Sequence, residues 1–304
     1  MPELPEVETV VRDLRPLLVG RSIVGVRQSR KKLRKPWDAA WNAAVTGTKI
    51  EGVRRRGKWI LLDLVEGAAV GRAVPVAARH AESPCLRVHL GMTGQFTVVP
   101  ADTPELDHLH LVFALDNDTE LRFRDQRRFG SVEWFPDRIA LETEMNAELG
   151  PEPFGMDGAA FRDAVRGTGR NLKAVLLDQT IVAGVGNIYA DEALFRAQLH
   201  PARTGKSLTP EECDRLREAI EAVMTRAIES RGSTIRDYVG GSGLRGGFQN
   251  EFAVYGRTDL PCPVCGTAVQ CVRLAGRSSH YCPLCQKASA QGRKTRTKTR
   301  GRQP

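Results

Sequence analysis

The sequence predicts an α+β multidomain fold: an N-terminal helix, an antiparallel β-sandwich, and then a helical region that ends in a small cysteine-rich module. Three observations carry this expectation. Eight short β-rich runs crowd residues 22–135 with tight turns between them, as in an antiparallel sandwich. Helical periodicity brackets those runs on both sides, and two Cys-x2-Cys pairs stand near the C-terminus.

Along the chain, Val7, Val10, Val11, Leu14 and Leu18 recur at spacings of three and four. They form one apolar face of a helix within Pro2–Gly20, stopped by a glycine. Strands are expected at Ser22–Val26, Lys49–Val53, Trp59–Val65, Leu86–Leu90, Gln95–Val99, Leu109–Leu115, Glu120–Arg124 and Ser131–Phe135, with turns such as Asp116-Asn117-Asp118. Val65–Pro84 is rich in Ala, Gly and Val, lacks periodicity, and reads as a long flexible loop. Gly150-Pro151-Glu152-Pro153 breaks secondary structure and marks a hinge. Further on, Thr209-Pro210-Glu211-Glu212 joins an N-cap, a proline at the first helical position and a capping-box glutamate. Leu216, Ile220, Val223, Met224 and Ile228 follow on one face, and the helix is expected to break near Gly232. A glycine-rich loop, Gly240–Gly247, leads into the cysteines. The chain thus divides into a β-sandwich domain (1–150), a helical domain (151–248), the cysteine module (249–287) and a basic tail (288–304).

Composition narrows the function classes. With 41% hydrophobic and 27% charged residues the chain is globular, and no apolar stretch reaches the roughly 18 residues of a membrane helix. The start, MPELPEVETV, has early glutamates and no basic lead-in to an apolar run, so no secretory signal is read there and a cytoplasmic protein is expected. The net charge of +9 favours a polyanionic partner. Seven Lys/Arg and no acidic residue lie in Lys287–Pro304, leaving only about +2 for the remainder. Any nucleic-acid surface on the folded part must therefore come from local clusters. The tail has almost nothing apolar to bury and is expected to be disordered; added non-specific affinity and simple solubilisation both stand as its roles.

Seven cysteines, an odd number, in a chain without a secretory signal argue against a disulfide framework. Cys262-x2-Cys265 is followed after sixteen residues by Cys282-x2-Cys285, each pair beside a proline. Two such knuckles present four thiolates to one Zn²⁺, and four protein ligands leave no open position, so the metal is structural. Cys85, Cys213 and Cys271 are read as ordinary packing residues, and His280 is not taken as a ligand. The long connection between the knuckles is expected to form a hairpin whose turn would expose Arg273 and Arg277, either against DNA or as ordinary solvated surface arginines.

Six blocks carry a resemblance to a known family: MPELPEVETV at 1–10, RRRGKWILLDL at 54–64, HLGMTG at 89–94, DQRRFGSVEWF at 125–135, LLDQTIVAGVGNIYADEALF at 176–195 and GRSSHYCPLCQ at 276–286. In this order they resemble the formamidopyrimidine-DNA glycosylase family from the first residue to the zinc module. The resemblance implies a helical domain containing a helix-two-turn-helix motif, with DNA in the cleft between domains. It also implies removal of oxidised purines, 8-oxoguanine and formamidopyrimidines, from damaged double-stranded DNA, followed by β,δ-elimination. Association with the nucleoid follows. A monomer is expected because each lesion presents a single flipped base.

By this resemblance Pro2, freed of Met1, is the nucleophile. An α-amino group titrates near pH ~8 and is partly unprotonated at neutral pH. Read alone, Pro2 would be a common helix-start proline; the blocks elsewhere in the chain reverse that reading. Glu3 would protonate the sugar ring oxygen, which requires a desolvated carboxyl. Glu6, one turn on, is read either as support for the site or as a favourable first-turn carboxylate. Lys58 would contact the damaged nucleotide and serve β-elimination, and Arg277 would grip a neighbouring phosphate for δ-elimination. Gly184-Val185-Gly186-Asn187 opens the second motif helix, where free N–H groups can face phosphate, with Asn187 as an added donor and Arg170 and Lys173 at the same backbone. A glycosylase must flip its target out of the stack. Met92, Arg127 and Phe129 match the residues that fill the void and hold the opposite strand, and His108 matches a DNA-contacting histidine.

Two other readings compete. A sister family resembling endonuclease VIII shares the amine chemistry but removes oxidised pyrimidines; the MPELPEV start, the Met92/Arg127/Phe129 set and the Gly240–Phe248 loop favour the purine family. A non-catalytic DNA-binding protein is opposed by the joint presence of Pro2, Glu3 and Lys58.

Overall fold

The computed structural model describes residues 1–31, 33–66, 82–233 and 246–288. Most of the expected Val65–Pro84 loop, residues 240–245 of the glycine-rich loop and the tail from 289 lie outside them. Helix α1 runs Leu4–Leu18, with Glu3 and Glu6 closing a capping box at its start. Strands follow at Ile23–Gln28 (β1), Thr48–Arg56 (β2), Trp59–Glu66 (β3), Cys85–His89 (β4), Gly94–Pro100 (β5), Leu109–Leu115 (β6), Thr119–Asp125 (β7) and Ser131–Phe135 (β8), with a short helix α2 at Trp41–Val45. All eight expected strands are present, and the bounds of Leu109–Leu115 and Ser131–Phe135 coincide with those expected. They form two four-stranded antiparallel sheets, ordered β1-β6-β7-β5 and β2-β3-β4-β8. Ile60, Leu62 and Leu64 of β3 face the same core as Val7, Val10, Val11, Leu14 and Leu18 of α1.

β3 buries Ile60, Leu61, Leu62 and Leu64, a run that one-sided alternation does not explain. Its other face carries Leu61, packed with Cys85 beneath Leu141 and Met145. Those two belong to helix α3, Arg138–Glu148, capped by the Asp137 side chain. The sequence reading assigned no helix there. Arg87 of β4 is enclosed in this layer, ion-paired to Glu133 and Glu144 at 3.0 and 2.7 Å and lying over Trp59 at 4.5 Å.

Beyond Pro153 come α4 (Gly158–Arg166), α5 (Leu172–Leu177), α6 (Asn187–Arg196) and α7 (Pro210–Glu229). The capping box expected at Thr209 and Glu212 is present. A hairpin of β9 (Gln270–Leu274) and β10 (Arg277–Tyr281) lies between the cysteine pairs. No helix among the described residues is long and apolar enough to cross a membrane.

The two larger units are joined at the start of α1 and at the β2–β3 turn. Leu4 leaves the sandwich core and packs in the helical one, while its N–H donates to the Gly184 carbonyl at 3.1 Å. Glu152, between the two units, accepts from the Gly57 N–H at 2.7 Å and pairs with Arg55 and Arg56 at 2.7 and 3.1 Å. Burial alone would raise its pKa, but these donors together outweigh burial and hold it below the usual carboxylate range. A folded-state pKa below the unfolded one gives stability that is present above the unfolded value, ~4.3, and lost as pH falls through the folded one. Glu152→Gln should therefore cost about 1.5–3 kcal/mol at pH 7 and flatten the acid limb. Urea unfolding at pH 4 and pH 7 checks this, and a variant as acid-sensitive as the parent would reject it.

Candidate active site and nucleic-acid interface

The N-terminus of α1 meets the N-terminus of α6. Pro2 and Glu3 are buried, and the Glu3 carboxylate accepts from the backbone N–H groups of Ile188 at 3.0 Å and Tyr189 at 3.5 Å. The positive end of a helix dipole thus faces this carboxylate. Gly186 makes room for it, since a Cβ there would lie 2.3 Å from the Glu3 carboxyl carbon. The expectation that this helix start keeps free N–H groups for phosphate is corrected in part. Glu3 occupies the first turn, and the Gly184 N–H is taken by Gln179 at 3.0 Å.

Glu6 makes two sets of contacts. It caps α1 by accepting from the Glu3 N–H at 2.8 Å, and it gathers the Tyr189 hydroxyl and the Ser233 N–H beneath the site. Burial, and then the neighbouring Glu3, push its carboxyl pKa up. Lys58 closes the cluster from the β2–β3 turn, where Gly57 takes φ +56°. Its ammonium donates to the Val185 carbonyl at 2.9 Å, which also accepts the Gln179 amide at 2.9 Å. Burial lowers its pKa; Glu3 and Glu6 oppose that shift and Arg277 adds to it. Across the strand pair from Trp59 stands His89. Its ring lies 4.7 Å from that indole, and burial, then Lys58, drive its pKa down to about 4, so the ring is neutral at pH 7. Sequence reading quoted the block holding His89 without singling the residue out.

Arg277 is exposed at the first position of β10, and Asn187 is half-buried at the first position of α6. Arg170 is exposed and pairs with Asp178 at 2.8 Å. Lys173 departs from expectation. It is 0% exposed, with its ammonium on Asp191 at 2.6 Å and on the Asn187 carbonyl at 2.7 Å. Its direct contact with a DNA backbone is therefore corrected to a buried one with protein groups.

The three expected void-filling side chains stand on one platform. Met92 and Phe129 are 39% and 46% exposed, large apolar groups that packing would otherwise hide, and the Arg127 guanidinium lies 4.7 Å from the Phe129 ring centroid. Buried Asp125 joins their two turns. It accepts from Thr93 Oγ1 at 2.6 Å and from the N–H groups of Arg127 and Gly130 at 3.2 and 2.7 Å. Gly91, at φ +60°, must lack a Cβ because one would come within 2.5 Å of the Gly130 nitrogen. The His108 carbonyl accepts from the Asp125 N–H at 3.0 Å, placing half-buried His108 beside this platform. The basic run at 30–35, RKKLRK, was not read as functional. Its Arg34 N–H donates to the Arg128 carbonyl at 3.2 Å, which brings Arg34 against the same turn.

Sγ atoms of Cys262, Cys265, Cys282 and Cys285 all lie within 4.8 Å of one another. Cys262–Cys285 and Cys265–Cys282 are 3.9 and 3.4 Å apart, against about 3.8 Å in a tetrahedron of ~2.3 Å Zn–S bonds. The donor set fits one structural zinc with no position for substrate. His280 is engaged elsewhere, on Asp191.

Family models match three stretches: the formamidopyrimidine-DNA glycosylase N-terminal domain over residues 1–132, its H2TH domain over 149–239, and a zinc finger found in FPG and IleRS over 259–288. A formamidopyrimidine-DNA glycosylase of Aromatoleum aromaticum is 41% identical, over 94% of this chain and 100% of that one. A mutant of Lactococcus lactis FPG bound to Fapy-dG-containing DNA superposes with TM-score 0.83 at 33% identity, covering 94% and 100% of the two chains. MutM in complex with carbocyclic 8-oxo-G-containing DNA gives 0.82 at 33% identity with the same coverage. With near-complete coverage at such identity, and with helix, sandwich, helical domain and four-cysteine module in the same order, the chain belongs to the formamidopyrimidine-DNA glycosylase family.

Proposed function

We propose that the cluster of Pro2, Glu3 and Lys58 at the start of α6 is the catalytic centre of this glycosylase. The chain excises oxidised purines from damaged double-stranded DNA in base-excision repair and carries AP lyase activity. The observation that carries the assignment is convergence: two domains bring the Pro2 end of α1, a buried carboxylate and a buried lysine to one helix terminus.

Once Met1 is removed, the Pro2 nitrogen attacks C1′ of a flipped nucleotide. The N-glycosidic bond breaks, the base leaves with the electron pair, and the proton shed by the Pro2 nitrogen neutralises it. With the nitrogen lone pair free again, Glu3 delivers a proton to O4′ as the C1′–O4′ bond opens, giving a C1′ iminium that has no N–H left to lose. Loss of a C2′ proton then expels the 3′ phosphate, with Lys58 on the nucleotide. Loss of a C4′ proton expels the 5′ oxygen with its phosphate, on which Arg277 sits. The products are a one-nucleotide gap with phosphate at both ends and, after hydrolysis, free enzyme. Asn187 and Arg170 hold the backbone, while Met92, Arg127 and Phe129 fill the duplex and His108 adds a contact. The zinc shapes the hairpin that presents Arg277 and takes no part in the steps. Segments 1–150, 151–248, 249–287 and 288–304 divide this work into catalysis, backbone binding, hairpin and basic tail. The protein acts as a monomer at the nucleoid.

The test is borohydride trapping of the Met1-processed protein on a duplex with one 8-oxoguanine opposite cytosine, beside Pro2→Gly and a thymine-glycol duplex. A covalent adduct on the first duplex, weakened or lost in the variant, is expected. Trapping only on thymine glycol would reassign the substrate to pyrimidines, and tight binding without any adduct would remove the amine mechanism.

A further inference from the structure

The zinc hairpin is tied to α6 through one buried carboxylate. Asp191 is fully buried on α6. Its Oδ1 accepts from Lys173 at 2.6 Å. Its Oδ2 accepts from both the backbone N–H and the ring Nδ1 of His280, each at 2.9 Å. A carboxylate can only accept, so that imidazole carries its proton on Nδ1. Three donors thus converge on Asp191 from α5 and β10.

Stability alone is a weak reason for such a group. Desolvation of two buried charges offsets most of their attraction, and an apolar pair would pack as well. What the arrangement supplies is a fixed distance. One turn before Asp191, α6 begins with Asn187 and the N–H that holds Glu3. Three residues before His280, β10 begins with Arg277. The parallel contact from Asn187 Nδ2 to Ser278 Oγ is long, 3.4 Å, and constrains little. The Tyr255 ring packs against the His280 ring at 5.1 Å, so that imidazole touches both a tyrosine and a carboxylate.

We propose that Asp191 is a positioning residue for the second elimination: by clamping His280 to α6 it sets Arg277 against the phosphate that leaves C5′. In that step the C4′ proton is lost, the electron pair shifts toward the iminium, and the C5′–O bond breaks with the pair leaving on phosphate. Asp191 touches none of these atoms. The inference rests on the assignment of Arg277 made above.

Asp191→Asn places an amide N–H against either Lys173 or His280 and loosens the clamp. The variant and Arg277→Ala, both Met1-processed and checked for one bound zinc, are given the 8-oxoguanine duplex and a preformed abasic duplex, and the single- and double-elimination products are resolved. Asp191→Asn should raise the ratio of single- to double-elimination product at least about tenfold, while base excision and borohydride trapping change far less. A general loss of structure would instead lower all steps together. If Asp191→Asn fails to fold, the pair Lys173→Met with Asp191→Leu removes both charges and should shift the ratio the same way. An unchanged ratio in a folded, zinc-bound variant, while Arg277→Ala loses the second product, overturns the role of Asp191 alone. Arg277→Ala that still gives both products overturns the assignment of Arg277, and the inference falls with it.

Discussion

Glu3→Gln lowers the single-turnover rate of 8-oxoguanine excision by about 10²–10⁴-fold, the usual contribution of a positioned acid, while duplex binding stays near the parent value. The substitution isolates a proton. Glutamine keeps an oxygen for the Ile188 N–H and fits the space that Gly186 leaves, so the junction of α1 and α6 survives. What disappears is the capacity to protonate O4′ as the sugar opens. A preformed abasic duplex, whose sugar already equilibrates with its open aldehyde, should lose much less. The competing account makes Glu3 only the capping-box residue of α1. On that account glutamine would cost no more than about 1 kcal/mol of stability and would leave excision intact. Rapid-quench excision on both duplexes, with thermal unfolding alongside, separates the two. Equal rates for parent and variant on 8-oxoguanine would remove Glu3 from the chemistry.

How much of this was legible in the sequence depended on how local each signal is. Strand positions were readable because alternation and turns are short-range, and the Thr209 capping box was readable for the same reason. Helix α3 was not: its buried stripe is only Leu141 and Met145, and Ile139 points to solvent at 60% exposure, so the periodicity is too brief to count. That helix is also what covers the second face of β3, through Leu61. Lys173 failed differently. A lysine near a backbone-binding motif looks like a phosphate ligand, and nothing within α5 reveals that Asp191, on the next helix, takes its charge. Asp125 and Asp191 organise their surroundings without carrying a motif of their own, and only the topology brings their partners together. The cysteine quartet sits at the other extreme, since ligand spacing and tetrahedral geometry nearly determine one another.

Removing that metal should have the second large effect. Among the described residues, the module's own buried cluster is Val254, Cys262, Val269 and Cys282 with Phe195 and Cys285 against it, and three of these six are the proposed ligands. Such a core cannot order the segment on apolar burial alone, whereas a structural zinc contributes about 10–16 kcal/mol of apparent binding free energy. The helical domain is built differently: its cluster runs from Leu4 through α7 and owes nothing to the metal. Cys282→Ser, or chelation of the parent, should therefore unfold the hairpin while α4–α7 persist. It should release one zinc per chain and weaken duplex binding by at least about 10²-fold, equivalent to roughly 2.8 kcal/mol. Double-elimination product should disappear with Arg277, and the three donors on Asp191 should fall to one. Zinc stoichiometry, far-UV dichroism and binding to a non-cleavable abasic duplex measure metal release, unfolding and affinity independently. A zinc-free variant that binds DNA as tightly as the parent would mean that the knuckles fold without metal and that the four-thiolate site has no structural duty here.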